Sequence, residues 1–275
     1  MKHVVNFSGG AGSWMAAKRV AEKYGTDNLI LLTADTGNEA PDWHEFVPAA
    51  AAEVGGELVI VRNEEFRDIW ELSFSRQLIP NNLAGFCTTE MKVKPIKKWQ
   101  LENCDPTNTT TYFGYDWTEG HRLKRTRERL AAEGWPLTEA PLLWEPILSK
   151  AQILEELAAS DLPTPEAYSL GLSHNNCLST GCFKQGEAAW RLFLRVYPER
   201  YAYQEAKGQE FNAFMAEKGK ERVGRKRGII YRKRTGLPPE ILTLKELRER
   251  IETQGDLFAD SGDWGACGCV DSEDI

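Results

Sequence analysis

The sequence predicts an α/β protein, with a mainly parallel sheet over residues 1–148 and a mainly helical, cysteine-containing region over 149–275. Three observations predict it. Short apolar runs alternate with helical patterns through the first 150 residues, the order of right-handed βαβ units. The run NLILLTA at 28–34 is apolar almost throughout, as in a strand covered on both faces. After Pro146 the alternation stops and helical patterns dominate.

HVVNF at 3–7 is the first strand, and Ser13 to Tyr24 the first helix, with Trp14, Ala17, Val20 and Ala21 on one face. The second strand is 28–34. Pro41 to Val54 is the next helix, with proline near its first turn. ELVIV at 57–61 is the third strand, and Lys94 to Leu101 reads as a helix. TTTYFG at 109–114 is the fourth strand, followed by a basic helix around Glu119 to Ala132. Beyond Pro146, helices are expected at Ser149–Ala159, Glu187–Val196, Pro198–Glu217 and Leu244–Ile251. Ser149 and Gln152 form a capping box for the first of these.

The composition, 41% hydrophobic and 27% charged, is that of a globular protein and excludes wholesale disorder. No apolar run approaches the roughly 20 residues that span a bilayer, so no membrane partner is expected. The start, MKHVVNFSGG, has no apolar core of a secretion signal, and the expected compartment is the cytosol. The net charge of −7 comes from residues 252–275, which hold seven acids and no Lys or Arg. The rest of the chain is balanced, so the acidic total does not exclude a nucleic-acid partner.

NFSGGAGS, residues 6–13, lies between the first strand and the first helix. Two glycines permit a tight turn and close backbone approach, and the following helix aims its free N–H groups at the loop. The pattern is neither a Walker loop nor a dinucleotide fingerprint. An ordinary glycine-rich turn is the plain alternative. His121 to Arg129 carries five Lys/Arg against one Glu, which suits an anion contact or a solvated face. Residues 218–234 carry nine Lys/Arg and one Glu, with Tyr231 as a stacking ring. That segment suits a nucleic-acid backbone, or equally a solvated basic hairpin.

Six cysteines are present. Cys104 reads as a core residue. Cys177 with Cys182, and Cys267 with Cys269, are close pairs, and paired thiols in a reducing compartment suggest a metal or redox site. Buried small apolar residues are the alternative. Four thiolates would suit Zn²⁺ or an iron–sulfur cluster.

Several segments, in this order, resemble the phosphoadenosine phosphosulfate (PAPS) reductase-like family of the adenine nucleotide alpha-hydrolase-like superfamily, in its phage and mobile-element form. S-G-G-x-x-S at 8–13 resembles the pyrophosphate loop, with Gly12 where ATP pyrophosphatases carry Asp. TADTGNEAPDWHEFV at 33–47 is similar to the family's T-G-x-E segment. Cys87, Thr88, Lys92 and Pro95 match its C-[CT]-x-x-x-K-x-x-P element. Gly114, Glu119, Arg122 and Arg125 resemble its G-x-R-x-x-E/D-x-x-R element, with Tyr115 and Asp116 in place of the expected basic residue. NNCLSTGCFKQGEAAW at 175–190 and the late C-G-C complete the likeness.

The resemblance implies a Rossmann-like sheet of the adenine nucleotide alpha-hydrolase-like (HUP) type, with helices on both faces. It implies an adenine nucleotide (PAPS, APS or ATP) bound by Ser8, Gly9, Gly10, Ser13, Asp35, Thr36, Glu39 and Gly114. Cys87, Lys92, Arg122 and Arg125 are its candidate catalytic residues. Cys177, Cys182, Cys267 and Cys269 would hold a [4Fe–4S] cluster, or alternatively zinc. The implied chemistry is sulfonucleotide reduction or nucleotide-activated sulfur transfer. The reductases' E-C-G-x-H element is replaced here by G-A-C-G-C-V-D. The alternatives are thiolation of tRNA or DNA, and a non-catalytic nucleotide- or nucleic-acid-binding module with a structural metal.

Overall fold

The computed structural model describes residues 1–81, 85–172, 175, 177–179, 181–220, 228–234 and 237–254. In chain order its elements begin with β1 (Lys2–Asn6), α1 (Ala11–Tyr24), β2 (Leu29–Asp35), α2 (Trp43–Val54), β3 (Glu57–Arg62) and α3 (Ile69–Arg76). A single turn, α4 (Phe86–Thr88), runs through a π-helical segment (Thr89–Val93) into α5 (Lys94–Asn103). Next come β4 (Thr109–Tyr112), α6 (Gly120–Ala132), β5 (Thr138–Glu139), α7 (Lys150–Ala159) and α8 (Glu166–Ser169). The last elements are α9 (Glu187–Val196), α10 (Pro198–Glu217), β6 (Ile230–Arg234), β7 (Leu237–Leu242) and α11 (Leu244–Gln254).

The protein is α/β. Five strands form one sheet in the order β3-β2-β1-β4-β5, and every pairing is parallel. Every predicted strand and helix is present, with no end moved by more than three residues and both ends of α9 and α10 unmoved. The short strand β5 and the helices α3, α4 and α8 are additions. The region after residue 149 is not wholly helical, because β6 and β7 form an antiparallel hairpin.

The described chain divides into two compact units, neither of them continuous in sequence. The first comprises residues 1–35, 40–63 and 90–176 and contains the whole sheet. Val4 stands beside Ile30 and Thr111 in the register. With Leu32, Val4 and Ile30 form a core cluster that Ile96 and Trp99 of α5 and Cys104 cover. His3, one residue along and therefore on the other face, stacks on Tyr24 of α1 with ring centres 4.4 Å apart. Helices α1 and α5 thus cover opposite faces of the sheet. Trp14, Trp43, Phe46 and Tyr112 are fully buried; each such side chain contributes roughly 2–3 kcal/mol of transfer free energy.

The second unit comprises 36–39, 64–89 and 177–275. Its core is aromatic. Trp70 meets Phe183 edge-on at 5.2 Å, and Phe74 meets Phe211 and Phe214 at 5.4 and 5.2 Å. Trp70 Nε1 donates to Gln204 Oε1 at 2.8 Å, so this buried indole is satisfied. Among the described residues, no helix is long and apolar enough to cross a membrane.

Candidate functional site

The strand order reverses direction at β1 and β4. Connections leave β1 toward β2 and leave β4 toward β5, so the loops beyond their carboxyl ends open a crevice at the sheet edge. The first of these loops is residues 7–10, and the second begins at Phe113.

Side chains hold the first loop in shape. Gly9 has φ +81°, and a β-carbon there would lie 2.3 Å from Trp43 Nε1 and 2.8 Å from Val47 Cγ2. Only glycine fits. Trp43 Nε1 donates to the Ser8 carbonyl at 3.1 Å. Ser8 donates to Ser13 Oγ at 3.2 Å, and Ser13 donates to the Gly10 carbonyl at 2.8 Å. The two hydroxyls therefore brace the loop.

The backbone donors are differently placed. Gly10 caps α1 without a side-chain hydrogen bond. The Trp14 amide donates to the Gly10 carbonyl at 3.1 Å, which starts the helical ladder. The Ala11 amide donates to the Tyr168 hydroxyl at 2.8 Å. The amides of Gly10, Gly12 and Ser13 make no hydrogen bond to a described residue. Ser13 is buried. Clustered helix-start N–H groups of this kind suit an oxyanion, by hydrogen bonding and by the helix dipole together. Gly114, at the start of the loop after β4, packs its backbone on that of Gly12 in the first turn of α1.

The other candidate residues fall in both units. In the first unit Asp35 ends β2, is buried, and is ion-paired with Arg62. Lys92 lies in the π-helical turn ahead of α5, half-buried. Arg122 pairs with Glu119 and sits 4.7 Å over the Tyr115 ring. Arg125 is exposed on α6. Asp116 caps the turn at 117–119 in a capping box with Glu119.

In the second unit, Thr36 donates to Glu39 Oε1 at 3.0 Å, and the Cys177 amide donates to Glu39 Oε2 at 3.2 Å. Cys177 Sγ lies 4.0 Å from Thr36 Oγ1. Cys177 adopts φ +47°, a left-handed conformation uncommon outside glycine. The segment thus joins the T-G-N-E loop to the first cysteine pair. The same loop borders a cavity of about 390 Å³ lined also by Asp68, Ser179 and Arg200. Cys87 is buried in α4.

Cys177 and Cys182 are both buried and in no disulfide, while Cys267 and Cys269 lie outside the described residues. Among the described residues, no group of three His, Cys, Asp or Glu side chains is arranged to hold a metal. The described part supplies two of the four expected thiols. Residues 221–227 of the 218–234 segment likewise fall outside what is described. Cys104 is half-buried, and desolvation raises its thiol pKa, with Lys2 and Thr109 acting in the opposite direction.

Sequence reasoning missed Tyr168 and Lys150. Tyr168 reaches the loop across 157 residues of sequence, and Lys150 sits over its ring. Neither stands in a motif, so no local signal could have found them. No protein-family model matches the chain, and no curated protein matches it.

Proposed function

We propose that the chain is an adenine-nucleotide-dependent enzyme of sulfur metabolism, built on a Rossmann-like sheet of the adenine nucleotide alpha-hydrolase-like (HUP) type. Its reaction is sulfonucleotide reduction or nucleotide-activated sulfur transfer. The observation that carries the nucleotide half is the set of uncommitted amides at Gly10, Gly12 and Ser13, at the reversal point of a parallel sheet. Ser8 and Gly9 shape that loop, Ser13 adds its amide, and Gly114 closes it from β4. Asp35 ends β2, the next strand, and Thr36 and Glu39 follow it in sequence. The sulfur half rests on the resemblance of Cys87, Lys92 and the paired cysteines to PAPS reductase-like segments.

A second reading, in which a nucleic acid is the acceptor, is favoured by one observation. Trp117 is 63% exposed just ahead of basic α6. An exposed ring beside cations suits stacking on a single-stranded base.

Titration of the full chain with ATP, APS and PAPS, followed by product analysis, tests the proposal. Sulfite release identifies sulfonucleotide reduction. Pyrophosphate release from ATP identifies nucleotide activation. Tight binding without turnover would leave a binding module, and no binding of any of the three would overturn the nucleotide reading.

A further inference from the structure

A second wall of the loop site comes from α7 and α8. The Tyr168 hydroxyl accepts from the Ala11 amide at 2.8 Å and lies 3.3 Å from where a β-carbon on Gly10 would be. Its oxygen is therefore anchored at the helix start. Its proton has no acceptor among the described residues. The α8 turn that carries it is tied down, because the Glu166 amide donates to Asp42 Oδ2 at 2.8 Å and Ala167 is buried. Burial pushes the phenol up to about 12, so it remains a donor at physiological pH.

Lys150 Nζ lies 5.5 Å from the centre of the Tyr168 ring. It forms no ion pair with a described residue. It occupies the first turn of α7, where a cation opposes the helix dipole. Desolvation lowers the amine below its ordinary value, with Asp116 and Glu119 pulling the other way. Lys150 is exposed, and an anion sharing the space at the start of α7 would offset the unfavourable dipole.

We propose that Tyr168 and Lys150 bind the same ligand as the loop, an anhydride of two linked tetrahedral anions such as a diphosphate or phosphosulfate. The inference rests on the phosphate-loop reading. The inner group takes the amides of Gly12 and Ser13 and the hydroxyl proton of Tyr168. The outer group is neutralised by Lys150. A single phosphate would use the first set only, so Lys150 selects for the linked pair.

The test is calorimetric titration of the full chain with inorganic pyrophosphate and, separately, inorganic phosphate. Tyr168→Phe keeps the ring and removes the donor; Lys150→Met keeps the stem and removes the charge. Each is expected to weaken pyrophosphate binding about tenfold, the scale of one lost charge-assisted hydrogen bond. Lys150→Met should also flatten the salt dependence and leave inorganic phosphate within about twofold. Lys150→Gln serves as a second neutral variant, and matched thermal unfolding confirms that each variant folds. Unchanged or tighter pyrophosphate binding by Tyr168→Phe would make the hydroxyl only a helix cap and overturn its role. Unchanged binding by both Lys150 variants would overturn that of the ammonium. If the wild-type chain itself does not bind pyrophosphate, the phosphate-loop reading falls and this inference falls with it.

Discussion

The backbone of Gly114 packs directly on that of Gly12. A β-carbon built on Gly114 would lie 3.0 Å from both the carbonyl carbon and the oxygen of Gly12, and 3.1 Å from the Ser13 nitrogen. All three neighbours are backbone atoms, which cannot rotate away. Gly114→Ala must therefore displace the first turn of α1. It is expected to cost about 1–3 kcal/mol, the usual penalty for overpacking, and to weaken pyrophosphate binding. Urea unfolding and titration of the same variant check both effects. Wild-type stability with wild-type binding would show that the first turn yields freely.

Gly12→Ala should behave in the opposite way. A β-carbon there meets Gly114 O at 3.5 Å and Leu142 Cδ1 at 3.7 Å, ordinary contact distances. Gly12 lies inside α1, where replacing glycine by alanine stabilises a helix by roughly 0.5–1 kcal/mol. The variant should be as stable as wild type or slightly more so in urea unfolding. A loss above about 1 kcal/mol would mean that the close approach of the two loops has no spare room.

Glu39 fixes Cys177 from two sides, through Thr36 and through the Cys177 amide. Glu39→Ala leaves that buried amide without its acceptor and should cost about 1–3 kcal/mol. Cys177→Gly should be tolerated better than Cys177→Ala, because glycine adopts φ +47° without strain. Thermal unfolding of the three variants gives the order, and equal stability of Cys177→Gly and Cys177→Ala would contradict the strained-backbone account.

His3 should make stability pH-dependent. Its pKa is lowered chiefly by burial and then by the positive amino terminus, with Glu139 opposing. The unfolded chain therefore takes up the proton more readily than the folded one. The contribution is complete above the ordinary histidine value of 6.5 and is lost as pH falls through it. The slope from this group is at most ~1.4 kcal/mol per pH unit. Urea unfolding between pH 5 and 8 (about the range where histidine titrates) should show stability rising with pH in wild type, and a flatter profile in His3→Gln. Identical profiles would remove His3 as the cause.

What could be read from the sequence follows from where the information lies. The strands β1 to β4 were legible because each is a short apolar run bounded by turn residues. The limits of α9 and α10 were legible because Gly186 and Pro198 punctuate them. The two-residue β5 and one-turn α4 and α8 were not, because so few residues carry no period. The interleaving of chain segments between the two units depends on contacts far apart in sequence. The same holds within the site. Gly9, Gly10 and Ser13 are one local motif, whereas Tyr168 reaches Ala11 only through the tertiary fold.

The central claim is that the amides of Gly10, Gly12 and Ser13 receive a phosphate. Backbone ¹H–¹⁵N spectra of the full chain, recorded during a pyrophosphate titration, test it most directly. The expected result is a saturable downfield shift of these three amide protons, with the Ala11 amide following as Tyr168 engages the ligand. Saturation elsewhere with these amides unmoved, or no change at millimolar pyrophosphate, would contradict the claim.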